Sequence, residues 1–216
     1  EYITFVDADD WIASTMLEEI FFFAKKNPSD IVTMDFFVSQ NGKDILRKQK
    51  PKLLCAESML RQILIGELFG GMQIRIIKKS FYDKYPIKFS EKIGYCEDVF
   101  FWVAFLQQQP RITYLNKAFY YYNQDNTASI TRNYTLNKYE ERKRFIQLLK
   151  ENLPDSFKKE INVAAFHVKM EALRNGFLTC SEYRMFEPTH FRTLFFSKQS
   201  WFINFYSIIR MIVNRM

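Results

Sequence analysis

The chain has 216 residues, room for one sizeable core at about 100–200 residues per domain, and is 48% hydrophobic and 25% charged with only 6 Gly and 6 Pro. That excludes collagen-like, low-complexity and intrinsically disordered chains. The net charge of +7 is uneven, because residues 1 to 133 hold 17 Lys+Arg against 16 Asp+Glu and residues 134 to 216 hold 14 against 8, so any anionic partner is expected at the C-terminal third.

In chain order, Tyr2 to Val6 is a continuous apolar, β-rich run that stops at Asp7-Ala8-Asp9-Asp10. It reads as a buried parallel strand delivering carboxylates at its C-terminal end, where open α/β sheets bind ligands. Thr15 with Glu18 predicts a capping box, and Leu17, Ile20, Phe21 and Ala24 predict a helix that ends at Asn27-Pro28. Ile31 to Val38 predicts a strand, Asn41-Gly42 a tight turn and Asp44 to Gln49 a returning strand. Ala56 to Ile65 predicts a helix, Gly66 to Gly71 a loop with three glycines, and Met72 to Ile77 a strand, so a mixed sheet is expected. Asp98 to Gln108 is helical by spacing, which puts Glu97-Asp98 at a helix N-terminus that should keep both acids ionised. Ile112 to Leu115 and Ala118 to Tyr122 predict two short strands. Beyond about residue 133 the pattern changes to charged helices over 137–152, 157–179, 189–197 and 200–215.

Chemistry centres on the acids. Carboxylates crowded at Asp7-x-Asp9, with Asp10 beside them, raise one another's pKa unless a cation neutralises them, and hard oxygen ligands suit Mg²⁺ or Mn²⁺. The bland reading is a solvated turn between strand and helix. Glu97-Asp98 read alone is a helix cap and dipole partner. His167 and His190 have no partner at metal-ligand spacing, and no Ser/His/Asp or Cys/His pattern, P-loop or GxGxxG occurs. Cys96 beside Glu97 is a poor nucleophile, because an acidic neighbour raises the thiol pKa. Three widely spaced cysteines, Cys55, Cys96 and Cys180, offer neither a disulfide framework nor a CxxC metal site and fit a reducing cytosol.

Taken together, Tyr2-Ile3-Thr4-Phe5-Val6-Asp7-Ala8-Asp9-Asp10-Trp11-Ile12 resembles the central strand and DxD motif of inverting, nucleotide-sugar-dependent GT-A glycosyltransferases of bacterial family two. Gly94-Tyr95-Cys96-Glu97-Asp98-Val99-Phe100-Phe101 resembles that family's ED motif. Ile74 to Ser80 resembles the strand between the motifs, and Phe119 to Tyr122 followed by Thr127-Ala128-Ser129-Ile130-Thr131 resembles the segment closing over the donor diphosphate. The resemblance implies an α/β, GT-A-like mixed sheet over residues 1–132 and an α-helical extension over 133–216. It implies that Asp7 and Asp9 contact donor ribose and a Mn²⁺ or Mg²⁺ ion, with Asp9 the stronger ligand, and that Ser129 contacts the donor. Asp98 is then the base that deprotonates an acceptor hydroxyl, supported by Glu97. The donor is a nucleotide sugar, with UDP-sugar expected, and the acceptor is a surface polysaccharide or a lipid-linked oligosaccharide.

Two departures stand out. Asn123 occupies a position where the family often has a basic residue. The family's opening, nucleotide-binding half does not precede Tyr2, and the chain starts at Glu1 rather than Met, so upstream sequence is expected to be missing.

The segment Ser200 to Met216 confines its polar groups to one narrow stripe, so it is expected to pack on the body or lie on an anionic membrane surface. No apolar run reaches the ~20 residues of a spanning helix and no signal sequence opens the chain. A cytoplasmic location is expected, peripheral at the inner membrane face if that helix docks there. Two rivals remain. A haloacid dehalogenase-like phosphatase also places Asp-x-Asp after a strand, although it wants a small residue where Trp11 stands. A noncatalytic module binding membrane or polyanion explains the basic tail but not the acids. Nucleic acid is not expected, since the excess charge spreads over helices without a recognition motif.

Overall fold

The computed structural model describes residues 1–126 and 134–178. Its sheet is built around β3 (Ile31–Gln40), whose run of β-branched and aromatic residues is almost wholly buried. One edge of β3 pairs in parallel with β6 (Ile112–Asn123), from Ile31↔Ile112 to Ser39↔Asn123, across a bulge around Asp35. The other edge is shared. Its first residues pair antiparallel with β5 (Arg75–Lys78), and Phe36 to Gln40 pair antiparallel with β4 (Lys43–Arg47). Asn41 (φ 53°) and Gly42 (φ 71°) form the β3–β4 turn, both left-handed as a two-residue hairpin of this hand requires. The mixed sheet and the hairpin are as the sequence predicts.

Three expectations fail. β1 is only Tyr2–Ile3 and lies antiparallel to β5 at the sheet edge, not a buried parallel strand through Val6. The chain leaves the sheet early because the acids that follow bond to β6 side chains instead, and Val6 is 47% exposed. It rejoins the sheet as β2 (Trp11–Ile12), antiparallel to Tyr120 and Tyr121. Thr15 makes no capping bond. It is already helical (φ −88°, ψ −6°), and the first amide of α1 (Met16–Lys26) bonds the Ala13 carbonyl at 3.0 Å. The buried face of α1 is accordingly Met16, Ile20 and Ala24, leaving Leu17 exposed. The two strands expected over 112–122 are one strand, because the bulge absorbs the polar pair Asn116-Lys117.

Two apolar clusters hold the layers together. One joins α1 to Val32, Met34, Phe36, Phe119 and Tyr120 of the sheet. The larger one collects α2 (Ala56–Leu64), α4 (Glu97–Leu106), α5 (Leu136–Asn152) and α6 (Lys158–Arg174), with α3 (Lys79–Lys84) at its margin. Trp102, Phe105, Leu149 and Ala172 are each fully buried there. Of these the three large ones, Trp102, Phe105 and Leu149, each contribute about 1.5–3 kcal/mol, and the cluster makes the C-terminal helices share a core with α2 and α4. The Thr135 hydroxyl caps α5 by accepting from the Lys138 amide at 3.3 Å.

Helix α5 also grips the segment leading into α4. Glu141 accepts the Gly94 amide at 2.8 Å, and Arg144 donates to the Lys92 carbonyl at 3.1 Å. Arg142 lies over the rings of Tyr95 and Tyr134, 5.9 Å from each, and pairs with Glu171 of α6. The expected helices over 189–197 and 200–215, together with Ser129, Cys180 and His190, lie outside the described residues. Among the described residues no helix is long and apolar enough to cross a membrane.

Candidate active site

The acidic turn is held from β6. The Asp10 amide bonds the Asp7 carbonyl at 3.2 Å, closing the turn. Asp10 then uses both carboxylate oxygens, accepting the Tyr120 hydroxyl at 2.5 Å and the Asn123 amide at 2.8 Å. Burial pushes its pKa up, and these two bonds only partly offset that. Asp10 is therefore an anchor. Tyr120, fully buried, also accepts the Asp7 amide at 3.2 Å. Asn123 Nδ2 donates to the Asp9 carbonyl at 3.0 Å, so the residue standing where a basic one was expected fixes the backbone of the motif.

With Asp10 committed, Asp7 and Asp9 are the exposed acids of the turn. Asp7 Oδ2 accepts from Gln73 Nε2 at 2.5 Å, and Asp9 Oδ2 accepts from Asn126 Nδ2 at 2.7 Å. Gln73 is buried, and its Oε1 has no partner among the described residues.

Glu97 and Asp98 occupy the first turn of α4, as predicted, but the residue before them carries the strain. Cys96 is left-handed at φ 69°, uncommon for a residue with a side chain. Its thiol is pushed up to about 11 by burial first and by Glu97 among the neighbouring acids, which disfavours the thiolate. Asp98 differs from expectation. Its pKa is raised to about 6 by burial, then by Glu97 and by Asp7, against the lowering effects of the Met72 amide and Arg75. The Met72 bond is long, at 3.4 Å. The helix N-terminus does not hold this carboxyl in the ordinary range because desolvation outweighs it. Asp98 meets the Met72 amide and Asp7 meets the side chain of the next residue, Gln73, so the fold brings both acidic motifs to one short stretch of chain.

Between them lies the glycine loop, pinned from both sides. Arg75, fully buried on β5, donates to the Gly71 carbonyl at 2.9 Å and the Phe69 carbonyl at 2.5 Å and stands 5.0 Å from the Trp102 ring. Burial lowers its pKa to about 9 while Asp98 raises it. The Phe69 amide donates to Gln49 Oε1 at 2.6 Å, and the Gln49 amide donates to the buried Asp35 at 2.6 Å. A Cβ on Gly70 would fall 2.5 Å from Val99 Cγ2, so the loop touches α4 one residue past Asp98. Gln73, Gln49 and Arg75 escaped sequence reasoning. The one available signal was Arg75 itself, a lone cation inside the apolar run Ile74 to Ile77, since a buried charge demands partners.

Among the described residues no group of three His, Cys, Asp or Glu can hold a metal ion. Asp7 and Asp9 together offer two hard carboxylate donors, each with one oxygen not engaged by Gln73 or Asn126. That set fits an Mg²⁺ or Mn²⁺ ion completed by substrate phosphate and water, not one caged by protein alone. His167 lies on α6, and burial pushes its pKa down.

Residues 1–88, which include the acidic turn and Arg75 but not Asp98, match the family described as Glycosyl transferase family 2, a family of nucleotide-sugar-dependent enzymes. The poly(ribitol-phosphate) β-N-acetylglucosaminyltransferase TarP of Staphylococcus aureus is 28% identical over 109 residues, covering 49% of this chain and 32% of that protein. The uncharacterized glycosyltransferase EpsJ of Bacillus subtilis is 25% identical over 138 residues, covering 60% and 39%. The chain thus spans about a third to two-fifths of the curated relatives it matches. The crystal structure of S. aureus TarS 1–349 in complex with UDP-GlcNAc aligns with 99% of this chain and 65% of its own, at a TM-score of 0.55 and 17% identity. A second crystal structure of S. aureus TarS 1–349 aligns at 0.54, with 17% identity, covering 99% of this chain and 64% of its own. This likeness shows the fold.

Proposed function

We propose, for a chain whose residues 1–88 match glycosyl transferase family 2, that it transfers N-acetylglucosamine from UDP-GlcNAc to a hydroxyl of a surface polymer. The observation that carries this reading is the pairing of a half-buried carboxylate, Asp98, with the acidic turn of Asp7 and Asp9 across a pinned glycine loop. A sugar or polyol hydroxyl is a weak nucleophile until a positioned base takes its proton, and a carboxyl raised to about 6 is better matched to that task than an ordinary aspartate. Asp98 accepts the hydroxyl proton as the oxygen attacks the anomeric carbon. UDP leaves from the opposite face, and the configuration inverts. Relatives support the donor: TarP is named for β-N-acetylglucosaminyl transfer, and an α-linked UDP-sugar yields a β-product by one inversion.

Asp7 and Asp9 would hold Mn²⁺ or Mg²⁺, with Asp9 the stronger ligand. Bound there, the ion supplies charge neutralisation for the departing diphosphate. Gln73 orients Asp7, Asn126 orients Asp9, and Glu97 tunes Asp98. Ser129 is assigned to the diphosphate side. The acceptor class is a polyol-phosphate or polysaccharide chain, or a lipid-linked oligosaccharide, and the basic C-terminal segment would meet an anionic membrane at its cytoplasmic face.

Calorimetry of UDP with Mn²⁺ tests the donor half: binding by the full-length protein that disappears in Asp9→Ala is expected. Wild-type protein that binds no uridine nucleotide in the presence of metal would end the UDP-donor reading.

A further inference from the structure

Beside the acidic site, a cleft of about 450 Å³ opens between the glycine loop and the far ends of β3, β4 and β6, within the ~300–1,000 Å³ usual for ligand sites. We propose that this cleft binds a saccharide unit of the acceptor, adjoining the unit whose hydroxyl meets Asp98. The assignment rests on the transferase reading above and adds a location and a recognition chemistry to it.

Position is the first argument. Gly70 forms part of the cleft wall and abuts Val99, the neighbour of Asp98. On the other wall Tyr122 directly precedes Asn123, which fixes Asp9 and Asp10. The cleft therefore adjoins the elements that carry both acidic motifs, while Asp7, Asp9 and Asp98 are not among its lining. A donor diphosphate belongs at those acids, which leaves the cleft to the other substrate.

The lining chemistry is the second. Phe69 stands between Phe36 and Tyr122, at centroid distances of 4.9 and 5.9 Å. This aromatic wall suits the C–H face of a pyranose. Arg47, exposed on β4, and Gln124 supply polar groups at the margin for ring hydroxyls. Arg47 is the one cation among the lining residues, and the lining acid Glu67 is paired with Lys52 at 2.7 Å. So little positive charge suits a neutral sugar better than a nucleoside diphosphate.

Rigidity is the third. Both the amide and the carbonyl of Phe69 are bonded to buried side chains, Gln49 and Arg75. The wall is thus ordered before any ligand arrives, which lowers the entropy cost of binding.

Saturation-transfer NMR on the full-length protein, with methyl β-N-acetylglucosaminide and methyl β-glucopyranoside as probes, tests the proposal, and UDP–Mn²⁺ calorimetry runs alongside. Wild type should saturate the ring protons of at least one glycoside. Phe69→Ala, whose backbone clamps do not involve its ring, should reduce that signal about tenfold with UDP affinity unchanged. Arg47→Ala, at an exposed position where truncation has little effect on stability, should reduce it about threefold through one lost hydrogen bond. Saturation of neither glycoside, undiminished saturation in both variants, or a parallel loss of UDP affinity in Phe69→Ala would each overturn the proposal. Glycoside saturation by a protein that binds no UDP would instead remove the transferase reading, and the acceptor role with it.

Discussion

Asp98→Asn separates the two consequences of burying a base. The carboxyl moves from 3.8 to about 6 on folding, and at about 1.4 kcal/mol per unit its charged form costs the folded state about 3 kcal/mol. Because the folded pKa lies above the unfolded one, the folded chain binds this proton more tightly. The contribution to stability is full below about pH 4, falls as pH rises toward 6, and is lost above that. Asparagine does not titrate and keeps an oxygen for the Met72 amide. The variant should therefore match wild type near pH 4 and exceed it by about 2–3 kcal/mol at pH 8, while transfer drops about 10²–10⁴-fold with UDP binding intact. Urea unfolding of both proteins at pH 4.5, 6 and 7.5 reads the difference directly. A stability difference that stays flat across that range, or a variant less stable at pH 7.5, would refute the claim that Asp98 is held against its own ionisation.

Three further changes probe the surroundings. Glu97→Gln removes the largest electrostatic cause of the Asp98 shift after burial, so the acidic limb of the pH–rate profile, which otherwise rises to a plateau above about 6, should move to lower pH. An unmoved limb would contradict the assigned coupling. Arg75→Met leaves the Phe69 and Gly71 carbonyls unpaired and removes a cation that favours ionised Asp98. A loss of about 3 kcal/mol in denaturant melts is expected, with the acidic limb shifted upward. Gly70→Ala drives a Cβ to 2.5 Å from Val99 Cγ2. It should cost about 1–3 kcal/mol by overpacking and lower kcat more than donor affinity, because the contact displaces the first turn of α4, and steady-state kinetics with varied UDP-GlcNAc would expose the split.

Features with a local cause were legible. Asn41-Gly42 announces its hairpin because two left-handed residues in succession suit few other pairs. Helices α2, α4 and α5 appear within a residue or two of their expected starts, since apolar spacing and end signals are local. Thr15 shows the limit of such signals. Its capping pattern is intact, yet a neighbouring carbonyl had already satisfied the first helical amide. The early end of β1 was equally hidden, because Val6 leaves the sheet for the sake of bonds between the acidic turn and β6, over a hundred residues away.

The candidate site divides along the same line. Residue order alone determined which carboxylates are available, that two of them follow an apolar run and two open a helix, and that Arg75 is a lone cation in an apolar run. Which of those acids does what was decided by tertiary structure. Asp10 became an anchor because Tyr120 and the Asn123 amide saturate it, and Asp98 became a candidate base because packing strips its water and brings Asp7 near. Hydrogen-bond partners and desolvation are properties of the folded surroundings, and a carboxylate's neighbours in sequence do not contain them.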